Sequence, residues 1–151
     1  MKYLKILIIT GAVFSLSACS SLTLSPADFA WPIETVLKIE KDGSVKEDRY
    51  SVKFNTKNMF FEETQDSLGY VGKSVRLIRN YAGFYFMTAQ DFKNVYVFSV
   101  KNAVFTLENK IEINATGLEN PAFNQRPPFI ELLDEGIVYR LTSDGIEGVV
   151  E

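Results

Sequence analysis

Between residues 33 and 142, apolar and polar side chains alternate in short runs, the period of half-buried strands. Ile33, Thr35, Leu37 and Ile39 alternate with Glu34, Val36, Lys38 and Glu40. Lys41-Asp42-Gly43-Ser44 then reads as a turn, and Tyr50, Val52 and Phe54 resume the alternation, which predicts a hairpin. Residues 59–62 read as a short strand. A polar connection follows over residues 63–73, broken by Gly69 and Gly72. Val75, Leu77 and Arg79 open a second strand series. Phe84 to Thr88 and Val95 to Val100 are apolar on both faces, the pattern of central strands.

Residues 103–108 and 111–115 read as a further hairpin around Asn109-Lys110. Residues 116–128 read as one long irregular segment, because Pro121, Pro127 and Pro128 each lack a ladder donor. Residues 129–133 and 137–142 pair around Asp134-Glu135-Gly136, and residues 143–151 form a short tail. No segment carries a sustained helical period. The prediction is an all-β fold of about nine or ten short strands, a small antiparallel sandwich or a closed barrel, with residues 74–113 as an up-and-down meander.

Composition changes this picture mainly by what is missing. The 151 residues include no histidine, which removes the commonest general base and the commonest metal ligand together. Aromatic residues make up 13% of the chain, enough to fill the core of one domain.

The first nineteen residues follow a different pattern. Lys2 and Lys5 precede an apolar run of Ile6, Leu7, Ile8, Ile9, Ala12, Val13 and Phe14, the length of a signal-peptide core. The run is too short to span a bilayer, which needs about 20 apolar residues. Leu16-Ser17-Ala18-Cys19 follows and resembles the lipobox of bacterial lipoproteins. The resemblance implies cleavage between Ala18 and Cys19 and acylation of Cys19, the only cysteine in the chain. Ser20, where an aspartate would imply retention at the inner membrane, implies the periplasmic face of the outer membrane.

On that reading, residues 1–18 are a signal peptide, residues 19–32 are the acylated cysteine and a tether, and residues 33–151 are a single domain. With residues 1–18 and their two lysines removed, fourteen basic and nineteen acidic side chains remain, a net charge of −5. An acidic chain without basic clusters argues against nucleic acid as a partner. An acylated Cys19 leaves no free thiol, so thiol catalysis and zinc sites of the usual kind are excluded, and no cofactor or metal is expected. The tether over residues 20–26 reaches about 20 Å at most, at ~3.3 Å per residue, which keeps the domain near the membrane. Phe29 and Trp31 either meet the lipid interface or close one end of the core.

Candidate chemistry is sparse. Glu62-Glu63 and Asp134-Glu135 are adjacent carboxylates. On a regular strand Glu62 and Glu63 would point to opposite faces and share no cleft. The stretch richest in contact-forming residues lies between Asn120 and Phe129, where Phe123, Asn124, Gln125, Arg126 and Phe129 combine aromatic, amide and guanidinium groups among prolines. These five are the candidate partner-binding residues. The expectation is a non-enzymatic binding or structural module that meets an envelope protein or wall component. The alternatives are a lipocalin-like carrier of an apolar ligand and, third, a carboxylate-based enzyme. A hollow barrel lined by Phe84, Phe86 and Val97 would favour the carrier; a filled core with an exposed aromatic patch would favour docking.

The anchor is directly testable. Cys19→Ala is expected to abolish palmitate labelling in cells and to release the protein from membranes; undiminished labelling would contradict the lipobox reading.

Overall fold

The computed structural model describes residues 33–49, 52–101 and 104–150. Ala18, Cys19, Phe29, Trp31 and Tyr50 lie outside the described residues. Eleven strands and one short helix are present among the described residues. β1 (Thr35–Lys38), β4 (Ser74–Arg79), β5 (Tyr85–Ala89), β6 (Asn94–Lys101) and β7 (Val104–Glu112) form a five-stranded sheet in the order β1-β4-β5-β6-β7. β8 (Ala122–Arg126), β9 (Phe129–Asp134), β10 (Ile137–Leu141) and β11 (Ile146–Val150) form a second sheet in the order β11-β10-β9-β8. β2 (Ser44–Glu47) and β3 (Val52–Asn55) make a separate hairpin, and α1 (Lys57–Thr64) follows it. All pairings are antiparallel. The fold is an all-β sandwich, and the sheets do not close into a barrel.

β5 explains why both faces of the large sheet are covered. All five of its residues are buried. Phe86 packs with Ile78, Val95, Val97 and Ile111 against Leu118, Phe123, Ile130, Leu132 and Leu141 from the second-sheet side. Tyr85, Met87 and Ala89 point the other way, into a core closed by Val45, Phe60, Tyr70, Phe92 and Tyr96. Alternation of period two thus feeds two separate cores from one strand.

The meander β4-β5-β6-β7 and the β9-β10 hairpin match the sequence expectation. Five other predicted features do not. The Asp42-Gly43 turn forms: Asp42 Oδ1 accepts the Ser44 N–H at 2.9 Å, and Gly43 takes φ 79°. Yet the strands on its two sides are not partners. β1 leaves to pair with β4, placing Leu37 in the same core as Val75 and Leu77, and β3 pairs with β2 instead. β2 carries one fully buried apolar residue, Val45, too little to register as a strand in the sequence.

Residues 59–62 are helical. A short apolar run such as Met59-Phe60-Phe61 has no period that separates strand from helix. Asn55 Oδ1 accepts the Lys57 N–H at 3.0 Å and satisfies one of the helix's free N-terminal donors. Gln65 closes the other end in the left-handed conformation.

β7 is one strand of nine residues, with no turn at Asn109-Lys110. Val97 pairs with Asn109 and Phe98 with Leu107, so Glu108 is absorbed as a β-bulge. β8 forms inside the segment expected to be irregular, because Pro127 and Pro128 occupy the turn to β9 and Pro121 precedes the strand, where no ladder donor is required. The expected tail is β11, which pairs with β10 after a turn closed by Thr142 N–H to Gly145 O at 2.9 Å.

Phe86 tests the core assignment. It is fully buried, so Phe86→Ala is expected to lower unfolding free energy by ~3–5 kcal/mol in urea titrations. A loss under about 1 kcal/mol, typical of surface positions, would contradict its place between the sheets.

Candidate functional site

α1 places its two carboxylates where a strand could not. Successive helical residues are separated by about 100° of rotation, so neighbours can share one edge of a cleft. Glu63 is buried and turns towards the sheet. Its Oε2 accepts the Lys93 backbone N–H at 2.7 Å, and its Oε1 accepts Asn94 Nδ2–H at 2.8 Å and the Tyr96 hydroxyl at 2.6 Å. Glu62, half exposed, also approaches that hydroxyl at 3.3 Å and holds Lys110 Nζ of β7 at 2.5 Å. Lys110 in turn lies 5.3 Å from the centre of the Tyr96 ring and 3.9 Å from Glu63 Oε1. The expected strand is therefore a helix, which brings both carboxylates to the Tyr96 hydroxyl, while Glu62 alone lines the adjoining groove and Glu63 is buried.

Burial and the hydrogen bond to Glu63 push the Tyr96 hydroxyl far above its usual range, so it remains a neutral donor. The Lys110 hydrogen bond holds the Glu62 carboxyl below the ordinary glutamate value. The geometry of the cluster fastens α1 to β6 and β7.

Fastened in this way, α1 forms one wall of an open groove of about 260 Å³. Asn58, Met59 and Glu62 line it from the helix, Met87, Tyr96 and Phe98 form its floor, and Phe105 and Leu107 of β7 form the opposite wall. Phe54 closes one end, edge-on to Phe105 with ring centres 5.3 Å apart, and Phe98 meets Phe105 at 5.5 Å. Phe54, Met59, Phe98 and Phe105 are only partly buried, and Leu107 is 52% exposed. Tyr96 and Phe98 were visible in the sequence as residues of an apolar strand. Nothing there joined them to Met59 or Leu107, because the contact depends on a helix with no readable period.

The five residues between Asn120 and Phe129 are divided by strand alternation. Phe123 is core, and its backbone N–H is taken by Glu34 Oε1 at 2.8 Å, which covers this edge of the second sheet. Gln125 pairs with Ile130 in register and faces inward with Phe123. Asn124, Arg126 and Phe129 share the outer face with Glu131 and Arg140. Glu131 lies 3.5 Å from Arg126 Nε and 3.6 Å from Arg140 Nε. The stretch is thus an edge strand and its turn, with three of the five candidate residues on its outer face.

Among the described residues no group of three or more histidine, cysteine, aspartate or glutamate side chains is arranged to hold a metal ion. No helix of the described residues is long and apolar enough to cross a membrane. Comparison with protein families, with characterised proteins and with solved structures finds no match.

Two measurements test the cluster. Tyr96→Phe keeps the ring but removes a hydrogen bond to a buried carboxylate, and is expected to lower stability by ~1.5–3 kcal/mol; no change would show that the hydroxyl contributes nothing to holding α1. The lowered Glu62 value gives a sign. Its contribution is present in full above the ordinary value of 4.5 and is lost as the pH falls through the lower, folded value. Urea titrations across that range should show this loss in the wild type and a smaller one in Lys110→Met.

Proposed function

We propose that this chain is a lipoprotein held through an acylated Cys19 at the periplasmic face of the outer membrane, and that its β domain is a non-enzymatic binding module for an envelope partner. The observation that carries the docking half is the groove between α1 and β7, a concavity in which Phe54, Met59, Phe98 and Phe105 stay partly exposed and Leu107 more than half exposed. Partly exposed aromatic and methionine side chains around a concavity are the usual material of a protein contact. The anchor half rests on Leu16-Ser17-Ala18-Cys19. Two or more acyl chains hold a protein stably at a bilayer, whereas one binds marginally.

The filled core supports docking over carriage. Phe86 and Val97, which a hollow barrel would turn towards its ligand, are fully buried between the sheets, and Phe84 packs against them. The groove is the preferred contact surface. The outer face of β8, with Asn124, Arg126 and Phe129, is the second, because Arg126 is exposed and its ion pair with Glu131 is long.

Photocrosslinking in intact cells separates the two surfaces. A photoreactive residue at position 107 is expected to give a discrete adduct with an envelope component, and one at position 126 is expected to give none. Adducts from position 126 alone would move the contact to the β8 face. Adducts from neither position would contradict the docking reading.

A further inference from the structure

We propose that the partner presents an extended, uncharged peptide segment that adds to the free edge of β7 as a sixth strand and seats an apolar side chain in the groove. This rests on the docking reading above and specifies the chemistry of its partner.

Three observations carry it. First, among the described residues β7 is the last strand of its sheet and pairs with β6 alone. At its second half the open edge is already occupied. Asn109 Oδ1 accepts the Lys110 N–H at 2.8 Å, and Asn109 Nδ2 donates to Ser143 O at 3.0 Å. Over residues 104–107 no hydrogen bond from any element other than β6 covers the backbone among the described residues. Natural sheets guard such edges with charge, proline or a bulge. Here the sequence is Val104-Phe105-Thr106-Leu107, with the bulge only beyond it at Glu108, and Val104 and Leu107 are more than half exposed.

Second, the groove opens beside this same stretch, since Phe105 and Leu107 are its wall. Its volume of about 260 Å³ falls below the roughly 300–1,000 Å³ that enclose a small-molecule ligand, and suits a bulky side chain better than a lipid chain. Strand addition uses both features at once: the backbone pairs with the edge, and alternate side chains meet the pocket.

Third, the charges at the rim are paired from within. Glu62 is paired with Lys110, and Glu108 accepts hydrogen bonds from Lys101 and Ser99. Glu62 is the one charged residue among those that line the groove, and its pairing leaves an apolar surface that suits an uncharged segment.

The test uses the full chain in lipid nanodiscs and short synthetic peptides in which serine or threonine alternates with leucine, valine or phenylalanine. Each peptide is also made with N-methyl groups on alternate backbone nitrogens, which block ladder pairing and preserve the side chains. Saturable binding is expected. N-methylation should weaken it by ~tenfold or more, as should Val104→Lys or Leu107→Lys in the protein, with thermal midpoints unchanged because both side chains are exposed. Equal binding of the N-methylated peptides would overturn strand addition. So would displacement of the peptides by palmitate, or self-association of the chain that Leu107→Lys abolishes. If no peptide binds while position 107 still crosslinks in cells, strand addition falls and the docking reading stands. If peptides bind as expected but position 107 gives no adduct, the proposal is overturned for the envelope partner, whose contact then lies elsewhere.

Discussion

One buried carboxylate settles how the front of this molecule is built. A charge removed from water destabilises a fold by several kcal/mol unless partners replace the lost hydration. Glu63 has them: a backbone N–H from Lys93, an amide from Asn94 and a hydroxyl from Tyr96, all at or just before the start of β6. α1 has little else to secure it. It is eight residues long, and only Phe60 and Glu63 are buried. Isolated helices of that length are not stable in water, so α1 depends on what it touches. Phe60 adds the apolar half of the attachment, edge-on to Phe92 with ring centres 4.7 Å apart.

The groove follows from that attachment. Its floor belongs to the sheet and exists without α1, but Asn58, Met59 and Glu62 supply a wall only when the helix is seated. Glu62 then meets Lys110 across the gap, which ties the helix to β7 as well as to β6. The same contact pairs the charge of Glu62, the one charged residue among those that line the groove. A structural requirement, satisfying Glu63, and the proposed recognition property, an apolar opening beside a strand edge that is free among the described residues, therefore share a few residues. Changes at Tyr96 or Lys110 act on both.

How much of this was legible depended on where each element obtains its stability. β5 and β6 are apolar on both faces, and such strands declare themselves as central; they are central. The β9-β10 hairpin announced itself through Asp134-Glu135-Gly136, since a residue with positive φ such as Gly136, at 86°, marks the turn. The missed elements take their form from partners. β2 and β11 have few buried side chains and form because a neighbouring strand offers its edge. β8 was obscured by prolines that lie at its boundaries. α1 had two buried residues three apart and no apolar stripe, while the register of Glu62 and Glu63 mattered only once the segment was helical. The candidate site was therefore largely hidden. Its aromatic floor was readable strand by strand, but its walls come from a helix and a bulged strand whose positions are set by tertiary contacts.

Glu63 seats α1 and thereby shapes the groove. Amide hydrogen exchange on Glu63→Gln, compared with wild type, measures this most directly. A glutamine keeps the size of the side chain but in either orientation turns its amide N–H₂ towards the Lys93 N–H or the Asn94 amide N–H₂, leaving a hydrogen bond unmade. Protection is expected to fall across α1 and over Lys93 and Asn94, while the amides of β9 and β10, on the far side of the large sheet, keep theirs. Undiminished protection of α1 would contradict that role for Glu63, and so would a uniform loss over both sheets.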